Sequence, residues 1–295
     1  MTAGEGTERT KGETQVEVRA YLEYFRDLGV YDFYRDPNHR TLAELVPQLA
    51  VSEAAPPEVA PAASNPVSIL PDVNAAATLV ATEPEIARPI SLNDRLPVPA
   101  ERVAPADKAQ ALALIRADIG DCTRCPLAYA GRRRIVFGDG DPGARLMFVG
   151  EGPGADEDEQ GIPFVGKSGQ LLNNMIGAMG LSREQVYIAN VVKCRPPANR
   201  APEAVEANTC TQFLARQMDV VQPEFVVALG ATAAAYLLGV KQSLASLRGQ
   251  WHEVRGARAI VTYHPAFLLR DPRQKGEAWK DLQMVMAAMG LKGRG

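Results

Sequence analysis

Four short apolar runs, each rich in Val, Ile or Phe, most constrain how this 295-residue chain can fold. They are RLMFVG (145–150), VYIANVV (186–192), FVVALG (225–230) and AIVTYH (259–264). Each of the first three is followed by a glycine or polar turn and then by a helical pattern. Strands that alternate with helices in this way are typical of a parallel sheet covered on both faces. We therefore expect an α/β fold.

Polar or glycine residues stand at the ends of three of these runs, namely Glu151-Gly152, Asn190 and His264. In open parallel sheets, ligands bind beyond the carboxyl ends of the strands. These residues are therefore our first candidates for a functional site.

The N-terminal third has a different character. Residues 14–28 carry apolar groups at helical spacing, which predicts a short helical segment within residues 1–50. Its apolar stripe either packs back onto this chain or docks onto a partner protein. Residues 51–105 hold ten of the 22 prolines and many alanines, which predicts an extended, disordered linker. We expect the core domain to span residues 106–295.

Charge and hydropathy limit the cellular location and the binding partners that we expect for the protein. No run of about 18 apolar residues is present, so we expect no membrane span. The polar N-terminus lacks an apolar signal stretch, which indicates a cytoplasmic protein. Residues 1–106 hold 9 Lys/Arg and 16 Asp/Glu, whereas residues 107–295 carry a net charge of +4. The basic C-terminal part is compatible with a polyanionic partner.

The segment GIPFVGKS (161–168) matches the phosphate-loop pattern, but its context argues against nucleotide binding. A phosphate loop directly follows a buried strand, whereas Gly161 follows the acidic run ADEDEQ. We interpret Lys167 and Ser168 as the start of a helix. The turn GEGPG (150–154) instead lets the backbone approach a flat ligand closely. Phe164 can stack on such a ligand, or be an ordinary core residue.

The four cysteines form two pairs, Cys122 with Cys125 and Cys194 with Cys210. Because cytosolic proteins rarely contain disulfides, two such pairs indicate a four-thiolate metal site. Zinc and an iron–sulfur cluster are both compatible with four thiolates, and the spacing alone slightly favours zinc. Buried cysteines without a ligand are the remaining alternative.

Taken together, these motifs resemble the iron–sulfur uracil-DNA glycosylases of family 4, the thermostable type. The resemblance rests on CTRCPL, VFGDGDPGA, GEGPGADED with GIPFVG, IANVVKCRPPANR and YHPAFLLR, in the family's order over about residues 108–290. It implies a three-layer α/β/α sandwich around a four-stranded parallel sheet. It also implies a structural [4Fe-4S] cluster on the four cysteines, which replaces the preference for zinc.

The resemblance further implies a role for each candidate residue. Asn190 would read the edge of uracil, because its amide can accept from N3–H and donate to O4. Phe164 would stack on the base, Glu151 and Gly152 would line the pocket, and the bulk of Glu157 would exclude the thymine methyl group. The other acids of the ADEDEQ run are expected on the solvated surface.

His264 would donate a hydrogen bond to uracil O2, where negative charge builds as the base leaves. In the segment that follows, Leu268 is predicted to occupy the space vacated by the flipped base, and Arg270 to hold a phosphate. Gly152 stands where some related glycosylases have a water-activating Asp. Glu151 and Glu157 are therefore the remaining candidates to orient water.

The sequence thus predicts a monomeric, monofunctional enzyme of base-excision repair that removes uracil from single- or double-stranded DNA and leaves an abasic site. We expect no need for magnesium or a nucleotide. We expect it in the cytoplasm, associated with the nucleoid, with a repair or replication protein as a possible partner of the N-terminal helix. The alternatives are a non-catalytic iron–sulfur or zinc DNA-binding module and a related glycosylase with shifted base specificity.

Overall fold

A computed structural model describes residues 88–292 of the chain. The predicted helical segment of residues 1–50 and the part of the predicted linker before Arg88 lie outside the described residues. None of the helices within residues 88–292 has the length and apolar character that crossing a bilayer requires.

The helices and strands alternate along the chain as the sequence predicts. The strands are β1 (Asp139–Gly140), β2 (Leu146–Gly150), β3 (Tyr187–Asn190), β4 (Phe225–Leu229), β5 (His252–Val254) and β6 (Ala257–Thr262). The α-helices are α1 (Leu92–Arg95), α2 (Lys108–Ile119), α3 (Ala155–Gln160), α4 (Lys167–Ala178), α5 (Ala204–Val221), α6 (Ala231–Leu238), α7 (Leu244–Leu247), α8 (Pro265–Arg270) and α9 (Lys275–Met289). Short 3₁₀ turns lie at Pro105–Asp107, Pro126–Ala128, Arg183–Gln185, Pro197–Asn199 and Pro272–Gln274.

The described strands form one sheet in the order β1-β3-β2-β4-β6-β5. The four central strands are parallel, which confirms the predicted four-stranded parallel sheet. The strands β1 and β5 add antiparallel edges. Both are only two or three residues long, and neither contains an apolar run that could be detected in the sequence.

The central strands are buried on both faces, which explains their continuous apolar sequences. In β2, Met147 and Val149 join a cluster formed with α2, α5 and α6, whereas Leu146 and Phe148 join a second cluster formed with α4 and α9. Because successive strand residues point to opposite faces, the two clusters define the outer layers of a three-layer α/β/α sandwich. The predicted fold class is therefore confirmed.

The folded part of the chain begins earlier than the expected boundary near Ala106. Leu92 in α1 is completely buried. The Arg255 guanidinium donates to the carbonyl oxygens of Leu92 and Leu96 at 2.7 and 2.8 Å and also pairs with Asp219. Residues 88–105 were expected to belong to the linker because of their prolines, but several of them are held against the domain by these contacts.

Candidate active site

A cavity of about 440 Å³ opens at the carboxyl ends of the parallel strands. It is lined by seven of the eight predicted substrate, catalytic and DNA-contacting residues: Glu151, Gly152, Glu157, Phe164, Asn190, His264 and Arg270. These residues come from five separate segments of the chain, and the parallel sheet brings them together because the strands end at the same edge.

Asn190 is the last residue of β3 and lies beside Gly150 of β2 in the parallel register. Its side chain is buried, and its Oδ1 has no hydrogen-bond partner among the described residues. A buried acceptor without a donor costs about 1–3 kcal/mol. The amide of Asn190 therefore offers an unsatisfied polar group that a ligand in the cavity can satisfy.

Phe164 reaches the cavity from the loop between α3 and α4. Its φ of 52° lies in the left-handed region, which is strained for a non-glycine residue. The loop is held in place by Arg183, whose guanidinium donates to the carbonyl oxygens of Pro163 and Phe164. The Phe164 ring lies 5.5 Å from the His264 ring, at an interplanar angle of 34°. The ring packs with the core on one side and is available to a planar ligand on the other.

Glu157 lines the cavity, but most of its acceptor capacity is used by the backbone. Its Oε1 accepts from the N–H groups of Val165 and Gly166 at 2.9 and 3.1 Å, and its Oε2 accepts from Gly154 N–H at 3.0 Å. The carboxylate therefore fixes the two loops that form one wall, and the structure gives no support to a role in orienting water. The neighbouring Asp158, expected on the surface, is buried and accepts from the N–H groups of Arg133 and Arg134.

Gly150 is required by the close approach of Asn190 and Phe164. A Cβ at this position would lie 2.4 Å from Asn190 Oδ1 and 2.5 Å from Phe164 Cζ. We therefore expect Gly150→Ala to displace both side chains and to lower the activity of this site by at least about tenfold. The matched control is Gly177→Ala in α4, where the added Cβ meets no atom within 4 Å. Equal activities of the two variants would contradict this expectation.

His264 caps the N-terminus of α8. Its Nδ1 accepts a hydrogen bond from Ala266 N–H at 3.1 Å, so the neutral ring carries its proton on Nε2. Burial lowers the pKa of His264 to about 4, with a further lowering by the charge of Arg270 and an opposing effect of Glu157. The imidazole is therefore a neutral donor near pH 7.

Thr232 was missed by the sequence analysis. It lies in α6, just after the end of β4, and its hydroxyl donates to Glu151 Oε2. Since β4 ends at the same sheet edge as the other parallel strands, its position in the chain was the available signal. Arg200 was also missed; it lines the cavity and is held by two hydrogen bonds to Glu206 at 2.8 and 2.7 Å.

The prediction for Leu268 is wrong. The Leu268 side chain is only 1% exposed, because Pro265 and Leu268 face the interior from the same side of α8. Leu269, in contrast, is 44% exposed, and Arg270 is exposed and lines the cavity.

The four cysteines are free thiols and line one small cavity between α2, the loop that follows it, and α5. Arg132 donates to Cys194 Sγ and Arg124 to Cys122 Sγ, and the backbone N–H of Lys193 donates to Cys210 Sγ at 3.3 Å. Burial raises the pKa of Cys194 to about 11 and that of Cys210 to about 12. Among residues 88–292, no three His, Cys, Asp or Glu side chains are arranged around a single metal-ion position.

Comparisons with known proteins identify the relatives of this chain. The family described as "Uracil DNA glycosylase superfamily" matches residues 137–283. The chain is 42% identical to a type-4 uracil-DNA glycosylase of Thermotoga maritima over 168 residues, 56% of this chain and 86% of that protein. It is 41% identical to a type-4 enzyme of Pyrobaculum aerophilum and 37% identical to one of Archaeoglobus fulgidus. These alignments cover 56% and 59% of this chain and 88% and 92% of the relatives.

Proposed function

Because this chain belongs to the type-4 uracil-DNA glycosylases of the uracil DNA glycosylase superfamily, we propose that the cavity at the sheet edge receives a uracil flipped out of DNA. The enzyme excises uracil in DNA repair. Hydrolysis breaks the bond between C1′ and uracil N1, and water adds to C1′ to leave an abasic site. The observation that carries the assignment of the site is the unsatisfied Asn190 amide, which shares the cavity with the Phe164 ring and the neutral His264 donor.

The Asn190 amide gives the cavity its selectivity for uracil. Its oxygen accepts from uracil N3–H, and its NH₂ group donates to uracil O4. Cytosine has an acceptor at N3 and a donor at N4, so it would leave buried polar groups unpaired, which a site of this kind rejects strongly. Phe164 stacks on the ring, and Glu157 narrows the pocket through the loops that it organises.

His264 assists departure of the base. As the C1′–N1 bond breaks, its electron pair passes to uracil and negative charge builds on O2. The neutral Nε2–H is placed to donate to this oxygen, and such a preorganised donor contributes about 3–4 kcal/mol in comparable sites. Glu151, held by Thr232, is the candidate that orients water toward the sugar.

The exposed residues of α8 can contact the DNA that lies outside the cavity. Arg270 supplies a positive charge for a backbone phosphate, and Leu269 replaces Leu268 as the proposed apolar side chain that enters the space left by the flipped base. Base flipping costs a few kcal/mol in a duplex and much less in a single strand. A wedge is therefore required only for the duplex.

Leu269→Ala is expected to lower uracil release from duplex DNA about tenfold and to leave release from single-stranded DNA unchanged. Leu268→Ala is expected to act differently, because deletion of a buried leucine side chain lowers the free energy of unfolding by about 2–5 kcal/mol. Rates on the two substrates and thermal unfolding of both variants test this. Leu114→Ala, at an exposed leucine of α2, is the control. A duplex rate unaffected by Leu269→Ala would exclude this residue as the wedge.

The cysteine site fits a [4Fe-4S] cluster. Four thiols surround one cavity, and N–H donors point at three of the sulfurs, where they would stabilise the negative charge of a cluster. Cys122, Cys125, Cys194 and Cys210 would hold the cluster, with Arg132 and Lys193 as neighbouring cations. Such a cluster would supply a cross-link between three segments of the chain and would take no part in breaking the glycosidic bond.

One experiment tests the proposed function as a whole. Purified protein is incubated with a uracil-containing oligonucleotide, and alkali then cleaves any abasic site that forms. We expect strand cleavage only after alkali, and a broad brown absorbance of the protein in the visible range. Uncleaved DNA would contradict the proposed activity, and a colourless, zinc-loaded protein would contradict the proposed cluster.

The location of the enzyme is inferred from its DNA substrate. We propose that it acts as a monomer on chromosomal DNA in the nucleoid. A repair or replication partner for the segment within residues 1–50 stays a prediction from the sequence.

A further inference from the structure

Lys193 is a lysine in an unusual place. Its side chain is only 1% exposed, and it lies between the base-reading Asn190 and the cysteine ligand Cys194 in the sequence. Within residues 88–292, its ammonium group donates to two neutral acceptors, the carbonyl oxygen of Asn190 at 2.9 Å and Gln217 Oε1 at 2.6 Å. Burial of a lysine costs several kcal/mol unless its charge is compensated, so selection for packing alone does not explain this residue.

The acceptor Gln217 is itself fixed. It is fully buried in α5, and its Nε2 donates to the carbonyl oxygen of Phe137 at 3.0 Å and to the Tyr187 hydroxyl at 3.1 Å. Seven residues earlier on the same face of α5 lies Cys210, whose sulfur accepts from the Lys193 backbone N–H. One face of α5 therefore binds both the backbone N–H and the side-chain ammonium of Lys193.

The carbonyl of Asn190 needs the donor that Lys193 supplies. The edge strand β1 pairs only with Tyr187 and Ile188, so it stops short of Asn190. On the other side, the chain is held to β2, because Val191 N–H donates to the Gly150 carbonyl at 2.9 Å. The Lys193 ammonium thus donates to the Asn190 carbonyl the hydrogen bond that a neighbouring strand would otherwise supply.

We propose that Lys193 is a positioning residue that ties the backbone of Asn190 to the cysteine-bearing helix α5 and so sets the carboxamide against the base. The proposal rests on the proposed function of Asn190 as the uracil reader. In this role Lys193 contributes to base recognition without contacting the base.

Lys193→Met tests this proposal, because methionine is also long and unbranched but donates no hydrogen bond. The measurement is the affinity for a duplex that carries a non-cleavable 2′-fluoro-arabino-uridine, compared with a duplex that carries a tetrahydrofuran abasic analogue. We expect the first affinity to fall about tenfold or more, because misplacement of a contact by about 1 Å has effects of up to a hundredfold. The second affinity is expected to stay unchanged, since the abasic analogue offers no base to Asn190.

Two further variants make the result decisive. Lys280→Met is the control, at an exposed lysine paired with Glu277 on α9. Gln217→Met removes the other acceptor of Lys193 at a position outside the cavity. It is expected to lower the affinity for the uridine duplex by a smaller factor and to leave the affinity for the abasic analogue unchanged. Iron content and the visible spectrum are measured for every variant and should match wild type.

The outcomes separate this proposal from the proposed function. Wild-type protein that releases no uracil would refute the proposed function. Wild-type protein that releases uracil, together with unchanged uracil affinity in folded Lys193→Met, would overturn only the role of Lys193. If Lys193→Met and Gln217→Met both lose the cluster or unfold, the network maintains the fold and does not serve to position Asn190, which also contradicts the proposal.

Discussion

Asn190→Asp is expected to lower uracil release from single-stranded DNA by at least about a hundredfold. The substitution replaces the amide donor by a carboxylate oxygen, which faces uracil O4 and repels it. The side chain is already buried without a partner for Oδ1, so the new charge would have no donor among the described residues to compensate it. Initial rates of uracil release, measured with enzyme in excess, report the effect on base removal separately from product release.

The ratio of uracil to cytosine release distinguishes recognition from general damage. A carboxylate at position 190 can accept from the cytosine N4 amino group, so this ratio should fall. A loss of folded protein would instead lower both rates equally and leave the ratio unchanged. Asn174→Asp, which makes the same chemical change on an exposed position of α4, should leave both rates unchanged. An Asn190→Asp variant with the wild-type ratio would show that another group reads the base.

The sequence was sufficient to predict the parallel sheet and most of the cavity for a physical reason. Strands buried on both faces have continuous apolar sequences, which made the sheet predictable. Because parallel strands end at one edge, Glu151, Asn190 and His264 could be placed together from the sequence alone. The family resemblance added Phe164 and Glu157, which lie on loops without periodicity. The edge strands β1 and β5 were not predictable, because they are too short to show a pattern.

The errors arose where a single helical step or one long-range contact decides the outcome. Two adjacent leucines follow His264, and the phase of α8 alone determines that Leu268 is buried and Leu269 exposed. The proline-rich composition of residues 88–105 predicts a linker, whereas a buried arginine 150 or more residues away in the sequence binds their carbonyl groups. Asp158 lies in an acidic run typical of a surface, and only the fold shows that it is buried and accepts hydrogen bonds from the N–H groups of Arg133 and Arg134.

His264→Asn is expected to lower uracil release by about a hundredfold to a thousandfold while leaving the protein folded. Asparagine is a good N-cap, so its Oδ1 can replace Nδ1 as the acceptor for Ala266 N–H and preserve the start of α8. Its side chain is shorter than histidine and carries no donor where Nε2–H lies. Single-turnover rates with thermal unfolding of the same variant separate the loss of the donor from the loss of the cap. The control is His252→Asn on β5, outside the cavity, which should retain the wild-type rate.

The pH dependence of the wild-type enzyme tests the protonation state of His264 directly. Because burial depresses its pKa from 6.5 to about 4, the neutral ring persists through pH 6.5, and kcat/KM should show no inflection from histidine there. The depressed pKa also means that its contribution to stability is complete above about pH 6.5 and is lost as the pH falls towards 4, where a proton on Nδ1 breaks the hydrogen bond to Ala266. An inflection near pH 6.5 that disappears in His264→Asn would show instead that the charged imidazolium takes part in the reaction.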